Sequence, residues 1–135
     1  MSEAPAQPRV RGGAVPYLNV DGALKAAEFY KAALGAEVVA SHPPDDKGRT
    51  MHVHLIVNGG SVMLSDFYPE HGHPKVEPQG FTVIMQVTDI ESWWKRATDA
   101  GVTVTTPLQK MFWGSLYGAF KDPFGVAWAF EQPAG

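Results

Sequence analysis

The sequence predicts an α+β domain in which one strand-helix-strand-strand-strand unit is written twice. Three observations carry this. Asp122-Pro123-Phe124-Gly125 is a turn with a mechanism, because Pro fixes φ for a type I turn and Gly tolerates φ > 0 where the chain leaves it. Apolar runs flank it at residues 117–120 and 126–130, which reads as a hairpin with a buried last strand. Asn58-Gly59-Gly60 sits between two apolar runs in the same way, and Gly59 and Gly125 lie 66 residues apart. The offset then recurs: Gly35 and Gly101 are 66 apart, Val20 and Val87 are 67 apart.

The elements follow in order. Residues 1–13 hold two Pro, two Arg and a Gly-Gly pair without periodicity, and read as a mobile tail before a single domain at 14–132. Residues 14–20 read as a strand with Pro16 near its start or on an edge. Asp21 is the expected N-cap of a helix over 22–34, where Leu24, Ala27, Tyr30 and Leu34 keep helical spacing and Gly35 ends it. A short strand at 36–41 and a polar loop at 42–49 come next. Residues 50–57 alternate, with Met51, Val53, Leu55 and Val57 on one face and His52, His54 and Ile56 on the other. A strand at 61–65 completes the first unit, about 14–66, and the Pro-, Gly- and His-rich residues 67–79 link it to the second, about 80–132. There, a strand at 81–87 leads to Thr88 or Asp89 as cap, a helix over 90–100 and Gly101 as its stop. Residues 102–105 form a strand, Pro107 opens a loop, and strands at 115–120 and 126–130 close the set.

Bulk properties narrow the function classes. A chain of 135 residues fits one domain with a core of its own. A net charge of −3 gives no basic field, which argues against nucleic acid or an anionic membrane surface as partner. The absence of cysteine removes disulfides and thiolate metal sites and suits a reducing cytoplasm. No run approaches 18 apolar residues, and the first 13 residues lack a signal-peptide core. No phosphate loop, nucleophile elbow or His-Glu-x-x-His is present.

Several stretches carry a family resemblance. Val15-Pro16-Tyr17-Leu18-Asn19-Val20, the run from Ala27 to Glu37, Phe112-Trp113-Gly114 and Asp122-Pro123-Phe124-Gly125-Val126-Ala127-Trp128 resemble the PhnB-like branch of the vicinal oxygen chelate superfamily. That group contains glyoxalases, bleomycin-resistance proteins and extradiol dioxygenases. The resemblance implies two βαβββ repeats forming a curled mixed sheet around a cavity, helices outside, usually completed across a homodimer. It also implies four His or Glu metal ligands, on the first and last strand of each repeat. Here those positions hold Val15, Met63, Thr82 and Ala129, none of them a metal ligand. No cofactor is therefore expected, and the implied function is binding of a small organic molecule without the usual superfamily metal.

Strand parity then names the candidate pocket: Tyr17, Asn19, His52, His54, Met63, Ile84, Gln86, Trp113 and Tyr117. Aromatic walls with a few amides suit an organic ligand, although Trp113 and Tyr117 could equally serve the core or a subunit contact. His52 and His54, two residues apart, could chelate a divalent cation if a third ligand joined them, and the alternative function is a metal-dependent lyase, isomerase or dioxygenase with a relocated site using both. A metal-free enzyme with one of them as general base is a further possibility. Glu70, His71 and His73 read as solvated loop residues, and Trp128 as core.

Overall fold

The computed structural model describes residues 8–134. Eight strands and two helices follow the predicted order: β1 (Tyr17–Val20), α1 (Ala23–Leu34), β2 (Glu37–Ser41), β3 (Val53–Val57), β4 (Gly60–Asp66), β5 (Val83–Gln86), α2 (Ile90–Asp99), β6 (Thr103–Lys110), β7 (Leu116–Lys121) and β8 (Ala127–Gln132). They form two four-stranded mixed sheets of identical topology, β1-β4-β3-β2 and β5-β8-β7-β6. In each, the first strand runs parallel to the last, Tyr17 opposite Met63 and Ile84 opposite Ala129, and the other pairings are antiparallel. Both sheets are curled and neither closes. The α+β class and the duplicated βαβββ unit are therefore as expected from the sequence.

Alternation explains which face is covered. On β1, Leu18 and Val20 are buried beneath α1 while Tyr17 and Asn19 are exposed; on β5, Met85 is buried while Ile84 and Gln86 are exposed. α1 and α2 pack on each other as well as on their own sheets. One continuous core results, joining Leu34, Leu55 and Leu64 to Phe120, Trp128 and Phe130. Tyr30 of α1 meets Trp128 of β8 edge-on at 5.3 Å, so the repeats share a core rather than each building its own.

Some boundaries differ from the sequence reading, each for a physical reason. Asp21 does not cap α1. The cap position is Gly22, in the left-handed region at φ 105°, and the helix N–H groups are taken by Asp66 from the end of β4. Asp21 instead pairs with Lys75. At the second helix, Asp89 is left-handed too, and the Gln132 side chain accepts from the Ile90 amide. Asp66 and Gln132 are 66 residues apart, so the capping device is itself duplicated and comes from the neighbouring strand end. Pro107 does not open a loop. β6 runs through it to Lys110, because β6 is an edge strand on which Pro removes no ladder donor, and its pairing with β7 is irregular on both sides of Thr106. β3 begins at Val53, later than the alternation from Thr50 suggested.

Gly118 of β7 is a packing requirement. A Cβ there would sit 2.5 Å from the Trp94 ring of α2. Gly118→Ala is expected to cost about 1–3 kcal/mol through displacement of that ring, measurable as a lower urea midpoint at unchanged m-value.

Candidate functional site

The open face of the first sheet carries Tyr17 and Asn19 of β1, Met63 of β4 and, just before β3, His52. Tyr17 is the hub. Its hydroxyl lies 3.2 Å from His52 Nδ1 and 3.2 Å from the Met51 carbonyl, and its ring faces the His52 ring at 5.9 Å. His42 meets the other side of His52 edge-on at 5.6 Å. Partial burial, and then the neighbouring His42 and His54, hold His52 below its ordinary value, while burial pushes the Tyr17 phenol up. Near neutral pH this corner is an uncharged phenol–imidazole pair, a hydrogen-bonding wall rather than a charge.

His54 does not join it. It is buried, and Nε2 lies 2.7 Å from Ser61 Oγ. Ser61 in turn accepts from the Arg11 amide and donates its own amide to the Arg11 carbonyl. His52 and His54 thus serve different neighbourhoods despite their shared strand parity. Among the described residues no three His, Asp or Glu side chains gather where a metal could be held.

Two hollows open beside β1. One, of about 250 Å³, is lined by Tyr17, Asn19, Phe67, Val76, Glu77 and Phe81, among others. The second, of about 310 Å³, shares Tyr17 and Asn19 and is completed by Met51, Tyr68, His71 and His73. The inter-repeat linker therefore supplies much of the wall. It is held down by a short 3₁₀ turn, Pro69–His71, where Arg49 bridges Asp45 and Glu70 and its guanidinium lies 4.4 Å over the Tyr68 ring. The hydrogen bonds from Arg49 bring the Glu70 carboxyl down to about 2. These linker residues were not singled out as pocket residues by the sequence reading. The signal available was Phe67-Tyr68 and Phe81, aromatics standing inside an otherwise Pro- and Gly-rich stretch.

The remaining candidates lie on the second sheet. Ile84 and Gln86 are exposed on β5, Tyr117 is half-buried on β7, and Trp113 is 48% exposed in the turn before it. Trp113 Nε1 donates to Glu131 at 3.1 Å, Gln86 Nε2 donates to the other carboxylate oxygen at 2.5 Å, and the Trp113 and Tyr117 rings are 6.0 Å apart. None of the four reaches the hollows beside β1. Of the nine residues expected to line one pocket, Tyr17 and Asn19 border the hollows, His52 and Met63 adjoin Tyr17, His54 is buried, and the other four lie on the second sheet. At the four positions that carry metal ligands in the superfamily, Met63 and Ala129 occupy matching places opposite Tyr17 and Ile84, with a thioether and a methyl group. Val15 and Thr82 are no better, so the donor set does not fit a divalent cation.

A duplicated βαβββ unit with paired, curled sheets defines a fold class rather than one reaction. The chain belongs to the Glyoxalase/Bleomycin resistance protein/Dioxygenase superfamily, which matches it over residues 13–130. It is 38% identical over 124 residues to the uncharacterised protein Mb0911c of Mycobacterium bovis, covering 87% of this chain and 81% of that one. Among solved structures it is similar to protein PA1353 of Pseudomonas aeruginosa, with 30% identity, a TM-score of 0.74, and coverage of 90% of this chain and 98% of the other. TnmS3, an antibiotic-binding protein from Streptomyces sp. CB03234, shares the fold at 22% identity and a TM-score of 0.68, covering 97% and 100%.

Proposed function

We propose that this protein binds a small, partly aromatic organic molecule beside Tyr17 and Asn19, without an intrinsic metal. One observation carries the reading: two adjacent hollows share these two side chains, and their walls combine aromatic rings with a few amide and imidazole groups. Rings supply contact area at low entropic cost and the polar groups fix orientation. That the same fold serves an antibiotic-binding protein is consistent with it. The relocated-metal alternative is less well supported, since His54 is buried with Nε2 against Ser61 and among the described residues no three metal-ligating side chains gather.

The same reading extends to assembly. As in the superfamily the resemblance points to, a second copy of the chain would border the binding cavity in a homodimer. No helix among the described residues is long and apolar enough to cross a membrane, and a cysteine-free cytoplasmic protein remains the working picture.

The test is a thermal-shift screen of aromatic small molecules against the full chain and Tyr17→Ala. A ligand at 100 times its Kd adds about 2.7 kcal/mol of stability, a rise of several degrees in Tm. The expected result is at least one such ligand whose shift is reduced in Tyr17→Ala. A broad panel without any shift would end the proposal.

A further inference from the structure

Glu131 is the one charged group in the middle of the second sheet's open face. Reading across the strands, its row is Gln86, Glu131, Tyr117 and Gln109, and the adjacent row is Ile84, Ala129, Ala119 and Thr106. Every other residue in these two rows is neutral. Parity places Lys121 on the same face, but four residues along β7 from Tyr117, about 13 Å away, beyond a Debye length at ordinary salt. Among the described residues Glu131 takes part in none of the ion pairs.

The carboxylate is nevertheless held in place. The Gln86 amide donates to one oxygen and the Trp113 indole to the other. Two neutral donors orient the group without cancelling its charge. A wall of rings stands around it: Trp113 meets Tyr117 at 6.0 Å and the fully exposed Phe112 at 4.8 Å, both edge-on. A fixed negative charge among aromatic faces is a recognition pattern for organic cations, which gain both the ion pair and the attraction of the ring quadrupole. A purely solvated surface glutamate needs neither the two donors nor the rings.

We infer that the open face of the second sheet is a binding site for an organic cation, an amine or quaternary ammonium carrying an apolar body, with Glu131 as its counter-charge and Trp113 and Tyr117 as its walls. This goes beyond the reading above, since it concerns the other sheet and does not require the hollows at Tyr17. It also assigns Gln86 a positioning role: its amide holds the carboxylate rather than touching the ligand.

Three probes of similar size separate charge from shape: benzyltrimethylammonium, benzyl alcohol and phenylacetate, titrated calorimetrically into the full chain. The cation is expected to bind at least about tenfold more tightly than the neutral probe, and more weakly as NaCl is raised from about 50 to about 500 mM. Glu131→Gln, checked by its melting curve, should remove the preference for the cation. Glu28→Gln, which removes an exposed carboxylate of α1 away from either open face, should retain it. Equal binding of cation and neutral probe, tighter binding of phenylacetate, or an unchanged preference in folded Glu131→Gln would each overturn the inference. Because the three probes are compared on the unaltered protein, the result stands even if a variant fails to fold. Loss of cation preference with retained binding of neutral aromatics at Tyr17 would leave the first proposal intact.

Discussion

Asp122→Ala is expected to lower the unfolding free energy by about 4 kcal/mol, the largest effect of any single polar substitution considered for this chain. The carboxylate is buried at the turn between β7 and β8. One oxygen accepts from the Phe124 and Val126 amides at 2.8 and 3.0 Å, and the other from Trp128 Nε1 at 2.8 Å and the Tyr30 hydroxyl at 2.5 Å. Alanine leaves all four donors without a partner, and each buried orphan costs on the order of 1–3 kcal/mol, reduced by whatever water the site admits. Two of those bonds shape the turn; the third reaches a core indole of the second repeat, and the fourth reaches α1 of the first. Burial and the adjacent carboxylate push the Tyr30 hydroxyl far above the ordinary tyrosine value, so it stays a donor across the accessible pH range. Tyr30→Phe, which removes only the link between the repeats, should cost about 1–2 kcal/mol. Urea titrations of both variants and of the double mutant check this. The double-mutant cycle should return a coupling of at least ~1 kcal/mol, and strict additivity would show that the Tyr30–Asp122 bond contributes nothing of its own.

The second large effect belongs to Asp66→Ala, at about 3 kcal/mol. Asp66 sits at the end of β4 and accepts from the amides of Gly22 and Ala23 at 2.7 and 3.1 Å, and from Thr50 at 2.9 Å. It satisfies the start of α1, complements the positive end of that helix, and ties down the approach to β3. Ala23 and Thr50 are completely buried, so water cannot readily replace the carboxylate. Gln132→Ala removes the equivalent contact in the second repeat, a single bond to the Ile90 amide, and should cost only about 1 kcal/mol. The ranking is the test: denaturation curves in which Gln132→Ala is the more damaging would show that the two caps are not equivalent devices. Asp66 also lines the second hollow beside Tyr17, so any aromatic ligand found in the thermal-shift screen should stabilise Asp66→Ala less than the unaltered chain.

How much of this was legible beforehand depends on the range of the interactions involved. The duplicated unit was, because its signals are local: Gly35 and Gly101 after amphipathic runs, and two turn sequences between apolar strands. Each depends on backbone preferences that act within a few residues. The helix caps were not. Asp21 had the right chemistry in the right place, yet the carboxylate that satisfies α1 is Asp66, 43 residues from Ala23, and only the parallel pairing of β1 with β4 brings it there. Pro107 misled for a related reason. Proline disfavours a strand unless that strand is an edge, and strand order is a property of the sheet, not of the residues around Pro107.

The candidate site divides the same way. Period-two alternation put Tyr17, Asn19, Ile84 and Gln86 opposite the buried row of their strands, and all four are exposed, since side-chain direction along a strand follows from the backbone alone. It could not show that His52 turns to Tyr17 while His54 is buried against Ser61, or that the linker walls the hollows beside β1. Nor did it show that Glu131 is gripped by Gln86 and Trp113. By itself the sequence determined the repeat and the fold class. The tertiary structure decided which residues meet, because burial and hydrogen-bond partners are set by contacts between segments tens of residues apart, and no local pattern records them.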